Sequence, residues 1–266
     1  MNTSVARYLR LYRSFLSHNL KNEMMYRANF AINVGMDIFF MMVNVIFFKI
    51  LYGSIETVGG WTFHQTLILV GSVGVIRELA YLTFRKGFLE LGEYVRTGNF
   101  DVMLTSPIAT SAHLAFRHVS LTDSFGEGVM GLILVGYGFA HLDAATWIGV
   151  PFYLLMLVNS LAIYYGFCLL VNGLVFWLVK SQELNTVVYY FMNTARYPRE
   201  IYHGLGKGLF TFLIPSSLIA TTPAAILVGR ADTGLILLSL GVAAGFLSLG
   251  LLFWNWSIHF YSSASS

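Results

Sequence analysis

Long apolar stretches separated by short polar segments make up most of this chain. Two of them, 29–48 and 235–254, hold about 20 residues each with at most one charge, and about 20 apolar residues are what an α-helix needs to cross a bilayer core. A soluble core has no need of such runs. The pattern therefore predicts an all-α integral membrane protein.

Six membrane-spanning helices account for these stretches, at about 29–51, 63–84, 118–139, 147–178, 184–197 and 233–257. The stretch 209–229 is treated differently because Pro215 and Pro223 interrupt it, and proline removes a backbone N–H and breaks a helix. Irregular backbone survives at membrane depth only inside protein or beside a water-filled cavity. We therefore predict a re-entrant helical pair over 199–230, with turns at Pro198, Pro215 and Pro223. Counting 209–229 as a full span gives seven helices and an external C-terminus instead.

Basic residues orient the chain. Residues 4–26 combine helical apolar periodicity with a basic face, which predicts an amphipathic helix in the headgroup plane; the alternative is a soluble helix that only orients the first span. Because Lys and Arg favour cytoplasmic loops, the N-terminus, the segment holding Arg85 and Lys86, and the C-terminus are predicted to be cytoplasmic. This arrangement leaves four basic residues at the outer face: Arg196, Arg199, Lys207 and Arg230.

Composition narrows the function. The 266 residues are 56% hydrophobic and 11% charged, against about 25% charged in an average soluble domain. Six spans leave no room for a separate ATPase domain, and no phosphate-binding G-x-x-x-x-G-K-[ST] loop occurs, so the chain is expected to bind no cofactor itself. A single cysteine, Cys168, and scattered histidines predict no disulfide and no metal site. The net charge of +3 gives no reason to expect a nucleic-acid partner.

The segment 85–108 is the candidate for contact with a soluble partner. A connector between spans needs neither this many residues nor exposed aromatic and aliphatic side chains. Apolar side chains would be buried in a partner's groove, charged ones would fix the register, and Gly98 and Asn99 favour a turn. The residues assigned to this role are Phe88, Leu89, Glu90, Glu93, Tyr94, Arg96, Asp101 and Leu104. The alternative is a solvated connector.

Polar residues in predicted spans are candidates for a substrate path, because such residues usually face a bundle interior or a water-filled route. Asp37 lies near the middle of the first span, and Tyr189, Tyr190 and Tyr197 precede the predicted re-entrant turn. Helix packing is the alternative for the tyrosines. Four further charged residues are predicted to form interhelical ion pairs near the cytoplasmic interface, with a proton relay as the alternative. They are Arg77, Arg117, Asp123 and Glu127.

Several stretches resemble one family of transport proteins. EYVRTGNFDVMLTSPI (93–108) is similar to the coupling segment of ABC-2-type permeases, the membrane subunits of ABC exporters. ARYPREIY (195–202) and LIPSSLIATTPAAILVGR (213–230) are similar to their turn in the outer leaflet, and YSSASS (261–266) resembles the ending of a subgroup of this chain's length. The Asn-Pro turn usual in the wider superfamily is replaced here by Ile214-Pro215.

The resemblance implies a single permease domain over 1–266 without catalytic residues. Such permeases work as dimers, with an identical or related second permease, in the bacterial plasma (inner) membrane. Cytoplasmic ABC ATPase subunits bind ATP and Mg and drive the transport. A lipid-like or drug-like substrate would move outward through the surrounding lipid. The alternative from another class is a proton-coupled secondary transporter that uses intramembrane carboxylates.

Overall fold

The computed structural model describes residues 27–117, 120, 123–142, 147–178 and 181–262. The predicted interfacial helix 4–26 lies outside these residues. Within them the architecture is all-α, and its helices are α1 (Arg27–Ser54), α2 (Phe63–Tyr81), α3 (Arg85–Thr97), α4 (Phe100–Leu104), α5 (Thr110–Arg117), α6 (Phe125–Ala140), α7 (Gly149–Gly173), α8 (Ser181–Thr194), α9 (Gly204–Gly208), α10 (Ser216–Leu227) and α11 (Thr233–Ser257).

Three helices of the described chain are each long and apolar enough to cross a membrane: Ala28–Ser54, Gly149–Phe176 and Thr233–Phe260. The number rises to five if each of two bent pairs counts as one span. In one pair α2 and α3 meet at 48°, and in the other Gly204–Leu213 meets α10 at 90°. The chain is thus an all-α membrane protein with three to five candidate spans, and the count of six stays a prediction.

The predicted third span begins later than expected. Residue 120 and residues 123–124 are not helical, and α6 begins at Phe125. The N-terminus of α6 instead packs against α1, where the Asp37 carboxylate accepts hydrogen bonds from the backbone N–H groups of Gly126 and Glu127. These N–H groups have no partner within their own helix. Asp37 therefore caps a neighbouring helix at membrane depth, which the local sequence around 118–124 cannot indicate.

Glycines allow α2 and α6 to touch backbone to backbone. A Cβ atom on Gly71 would lie 2.6 Å from the carbonyl oxygen of Gly131, and one on Gly138 would lie 2.6 Å from that of His64. The same applies to α7 and α11, where a Cβ on Gly250 would lie 2.7 Å from the Gly166 carbonyl oxygen. Small residues at helix contacts are the usual device for close packing in membranes.

Different aromatic side chains mark the two ends of the bundle. At one end, here called the α3 end, Phe88 packs against Trp254, with ring centroids 5.9 Å apart, and Phe100 packs against Tyr261 at 5.0 Å. At the other, the Trp61 end, the Trp61 indole donates a hydrogen bond to Glu200 at 2.8 Å. Segments α3 and α4 and the end of α11 therefore lie together, opposite the loop that precedes α2.

Residues 199–230 begin and end at the same tryptophan. Glu200 accepts from the Trp61 indole, and the Arg230 guanidinium lies 5.8 Å from the centroid of the same ring. Between them α10 has 12 residues, a length of about 18 Å, which is shorter than a bilayer core of about 30 Å. Residues 199–230 thus start and finish at the Trp61 end, and the re-entrant pair and the choice between six and seven spans stay predictions.

Each proline of this region has a defined position. Pro198 precedes a short 3-10 turn, Arg199–Ile201, and Pro215 precedes α10. Pro223 lies inside α10, so the prediction of a turn at Pro223 was wrong. Having no N–H, Pro223 leaves the carbonyl oxygen of Ile219 without its helical donor. The hydroxyl of Ser160 on α7 donates to that oxygen at 2.6 Å. The irregular helix is thus satisfied by a neighbour, as a segment at membrane depth must be.

We predict that Gly131→Ala destabilises the protein by about 1–3 kcal/mol, because the added methyl group forces α2 and α6 apart. A matched control is Gly136→Ala on the same helix, where a Cβ meets no atom within 4 Å. Reversible SDS titration in mixed micelles measures both free energies of unfolding. Equal stability of the two variants would contradict the close contact.

Candidate functional site

A polar cavity of about 260 Å³ lies between α1, α2, α6, α7 and α8. Its walls combine charged, amide and aromatic side chains, an unusual mixture for the interior of an apolar bundle. The residues that line it are Asp37, Phe40, Met41, Asn44, Arg77, Tyr81, Arg85, Asp123, Glu127, Tyr164, Tyr189, Met192 and Arg196.

Glu127 is the central acceptor of the cavity. It receives hydrogen bonds from Arg77 Nη1 at 3.1 Å and from Arg196 Nη2 at 2.9 Å, and the three side chains are only 10–16% exposed. Each arginine also donates to the side-chain oxygen of an asparagine: Arg77 to Asn193 at 2.7 Å, and Arg196 to Asn44 at 2.9 Å. One carboxylate thereby ties together α1, α2, α6 and the end of α8.

The predicted interhelical pairing of charges is found for Arg77 with Glu127, and Asp123 accepts from Lys86 of α3 at 2.6 Å. Burial by itself would lower the pKa of Lys86, but the bond to Asp123 outweighs it and raises the pKa, so the lysine stays charged. The Arg117 guanidinium lies over the ring of Tyr94, 5.2 Å from the ring centroid. Glu127 and Asp123 are thus held in ion pairs, whereas Asp37 accepts from backbone N–H groups and its Oδ2 is buried without a hydrogen-bond partner among the described residues.

The residues predicted for a substrate path are only partly brought together. Asp37 and Tyr189 both line the cavity, where the Arg77 guanidinium lies 5.5 Å from the centroid of the Tyr189 ring. Tyr190 is exposed on the outer surface of α8 and lines no part of the cavity. Tyr197 packs against Phe48 at 6.0 Å, where α1 meets the end of α8 toward the Trp61 end.

A second depression, a groove of about 570 Å³, runs between α3 and α8 at the α3 end. It is lined by Tyr81, Arg85, Leu89, Gly92, Glu93, Arg96, Gln182, Asn185, Thr186 and Tyr189. Tyr81, Arg85 and Tyr189 line the cavity as well. The groove and the cavity are therefore adjacent, and these three side chains lie where the two meet.

Two of the predicted coupling residues are not exposed for docking. Phe88 is fully buried against Trp254, and Tyr94 is buried with its hydroxyl donating to Glu90 at 2.6 Å. The prediction that the side chains of Phe88 and Tyr94 are buried in a partner's groove was therefore wrong. The apolar face of α3 is used within the chain, because the ends of α7 and α11 cover it.

The exposed surface of this region is formed by other residues. Val102 of α4 is 58% exposed and Leu104 is 41% exposed, while Glu93 and Arg96 form a solvated ion pair on α3. Leu89 and Asp101 are half-buried. Val102 was missed by the sequence reasoning, although its apolar character beside Asp101 was a usable signal. We call Glu93, Arg96, Val102 and Leu104 the α3–α4 surface.

A family comparison decides the class of this chain. A family model described as "ABC-2 family transporter protein" matches residues 38–265. The chain belongs to the ABC-2 transporter family. No curated protein and no solved structure matches it significantly. Membrane subunits of the ABC-2 family normally have no ATPase site of their own and work with a cytoplasmic ATPase.

The cavity of this ABC-2 family chain offers guanidinium, phenol, amide and carboxylate groups. Among the residues the structure describes, no group of three or more His, Cys, Asp or Glu side chains is placed to hold a metal ion. Cys168 is buried.

We predict that Glu127→Gln costs about 3 kcal/mol of stability, because it leaves two buried arginines without a counter-charge. The comparison is Glu93→Gln, which breaks the exposed pair with Arg96 and should leave stability unchanged. SDS titration of both variants in the same micelles provides the measurement. If the two variants unfold at the same SDS fraction, the Glu127 pairs contribute nothing beyond a surface ion pair.

Proposed function

We propose that this chain is the membrane-spanning permease subunit of an ATP-driven ABC exporter. It dimerises with an identical or related permease, and a cytoplasmic ABC ATPase dimer, which binds ATP and Mg, drives it. A lipid-like or drug-like substrate moves outward. The observation that carries the proposal is that α3 belongs both to the exposed α3–α4 surface and, through Arg85, to the wall of the cavity.

Force transmission follows from the contacts of α3. An ATPase that docks on the α3–α4 surface moves a helix whose buried face is locked to Trp254 of α11 through Phe88. On its other sides Lys86 holds Asp123, just before α6, and Arg85 holds Asn185 of α8. A displacement of α3 is therefore passed to three membrane helices. These helices include two of the walls of the cavity.

The proposed topology has six crossings, with the α3 end and both termini on the cytoplasmic side of a bacterial inner membrane. The return of 199–230 to Trp61 supports it, because the hairpin then counts as no crossing. The hairpin would lie in the outer leaflet, where the substrate leaves. Apolar side chains of α1 face outward, including Ile32, Phe39 and Ile50, and this face is offered to lipids or to the second permease.

Labelling of introduced cysteines tests the orientation, because Cys168 is the only native cysteine and is buried. We predict that Thr105→Cys at the end of α4 is labelled by a membrane-impermeant maleimide only after the cells are broken. Thr57→Cys in the loop before Trp61 should be labelled in intact cells, because it lies at the opposite end. Both residues are exposed. Labelling of Thr105→Cys in intact cells would exclude a cytoplasmic ATPase from α4.

Disruption of the α3–α4 surface tests the coupling. We predict that Val102→Arg greatly reduces recovery of the ATPase with the tagged permease from mild detergent, since a charge replaces an exposed apolar contact. Ile55→Arg is the matched control, because Ile55 is similarly exposed at the Trp61 end. Quantification of the co-purified ATPase gives the readout. Equal recovery with both variants, or no ATPase with the native chain, would contradict the proposal.

A further inference from the structure

Arg85 is a buried cation held only by neutral groups. The residue is 4% exposed, its Nη1 donates to the side-chain oxygen of Asn185 at 2.9 Å, and its Nη2 donates to the Asn185 carbonyl oxygen at 3.4 Å. Within the described part of the chain, no carboxylate forms an ion pair with it. A guanidinium does not lose its proton in a protein, so Arg85 cannot escape the cost of burial by becoming neutral.

Every other cation that lines the cavity or the groove contacts a carboxylate. Arg77 and Arg196 share Glu127, and in the groove Arg96 pairs with Glu93. Asp123 accepts from Lys86. Asp37 accepts from two backbone N–H groups at the N-terminus of α6, where the helix dipole favours a negative group, and its Oδ2 is buried without a hydrogen bond to any described residue. Among the described residues, Arg85 is therefore the cation that lines this path with no carboxylate in contact.

The position of Arg85 fits a ligand that moves. Arg85, Tyr81 and Tyr189 line both the groove and the cavity, so any molecule that passes from one to the other meets them. Tyr81 and Tyr189 bring phenol groups to the same lining, and the planar fork of a guanidinium binds carboxylate or phosphate oxygens in pairs. This arrangement selects an anionic group.

The membrane-facing side of the cavity fits an apolar tail. Phe40 of α1 and Tyr189 of α8 both line the cavity and are each more than half exposed. Toward the Trp61 end α1 and the end of α8 close together, through Asn44 with Arg196 and Phe48 with Tyr197. A cavity of about 260 Å³ holds a head group rather than a whole lipid. The tail would remain between α1 and α8, in contact with the bilayer.

We propose that the junction at Arg85 binds the anionic head group of an amphiphile, whose tail stays between α1 and α8. This inference deepens the proposed function, on which it rests for treating the bound amphiphile as substrate. Binding itself requires no ATPase. Loss of the ATPase partner and loss of the anionic ligand are therefore separate results.

The test uses the full chain in mild detergent, incubated with phosphatidylglycerol and phosphatidylcholine and examined by native mass spectrometry. We predict that the native protein retains phosphatidylglycerol in preference to phosphatidylcholine. Arg85→Gln should lower this preference about tenfold or more, because a charge-assisted hydrogen bond is lost. Arg117→Gln is the control, since it removes an arginine at the α3 end that lines neither the cavity nor the groove.

A second variant, Asn185→Asp, keeps the test decisive if Arg85→Gln does not fold. Asn185→Asp keeps Arg85 and gives it a carboxylate partner, so the contact between α3 and α8 persists while the charge is cancelled. We expect the preference for phosphatidylglycerol to fall as far as in Arg85→Gln. An Asn185→Asp protein that retains the lipid like the native chain would overturn the proposal, as would a native chain with no preference.

A free anion is distinguished from an amphiphile by a further arm. Inorganic phosphate alone, in millimolar excess, is compared with phosphatidylglycerol for its effect on the melting temperature of the native protein. We expect stabilisation by the lipid and little by phosphate, because only the lipid contributes contacts between α1 and α8. Equal stabilisation by phosphate would show a free-anion site and overturn the amphiphile.

Discussion

The membrane part of this protein is organised around one carboxylate shared by two arginines. In hydrocarbon surroundings an unpaired charge costs several kcal/mol, whereas a paired and hydrogen-bonded one is tolerated. Glu127 on α6 therefore requires Arg77 of α2 and Arg196 after α8 to stay within reach, and each arginine also donates to an amide oxygen, of Asn193 and Asn44 respectively. The relative positions of four helices follow from this requirement.

Close packing and backbone satisfaction make that arrangement possible. Gly71 and Gly131 let α2 and α6 approach until a methyl group would not fit between them, which brings Arg77 to Glu127. Asp37 supplies the missing acceptor for the start of α6, and Ser160 supplies the donor that Pro223 removes from α10. At these two places a neighbouring side chain replaces the missing backbone bond, as irregular backbone at membrane depth requires.

The helix α3 is important because it contacts its surroundings on three sides. Its apolar face is buried by Trp254, its basic residues reach α6 and α8, and its polar face stays at the surface. A helix held on three sides moves its neighbours when it moves. The cavity wall and the surface available to a partner are therefore mechanically linked through one short element. Arg85, at the first turn of this element, lies where the groove meets the cavity.

Much of the fold could be predicted from contiguous residues. Membrane class and helix ends depend on local hydropathy and breakers, so the last helix, predicted at 233–257, is found at Thr233–Ser257. The breaks before the short turn at Arg199 and before α10 are also local, because a proline precedes each of them, and so is the polar segment that follows α2. The start of α6 could not be predicted, because Asp37, nearly ninety positions away, provides its cap.

The candidate site was predictable only in part for the same reason. A polar residue in a span signals that a partner exists, and interhelical pairs were accordingly expected among Arg77, Arg117, Asp123 and Glu127, without an assignment of partners. The local sequence pattern does not indicate which residue lies opposite. The contact of Arg85 with the neutral Asn185 could not be predicted, because it depends on how α3 packs on α8. Phe88 illustrates the limit of sequence reasoning, because an apolar side chain on a polar connector can be buried either by a partner protein or by its own chain. Phe88 is buried by its own chain, since Trp254, far along the sequence, packs against it.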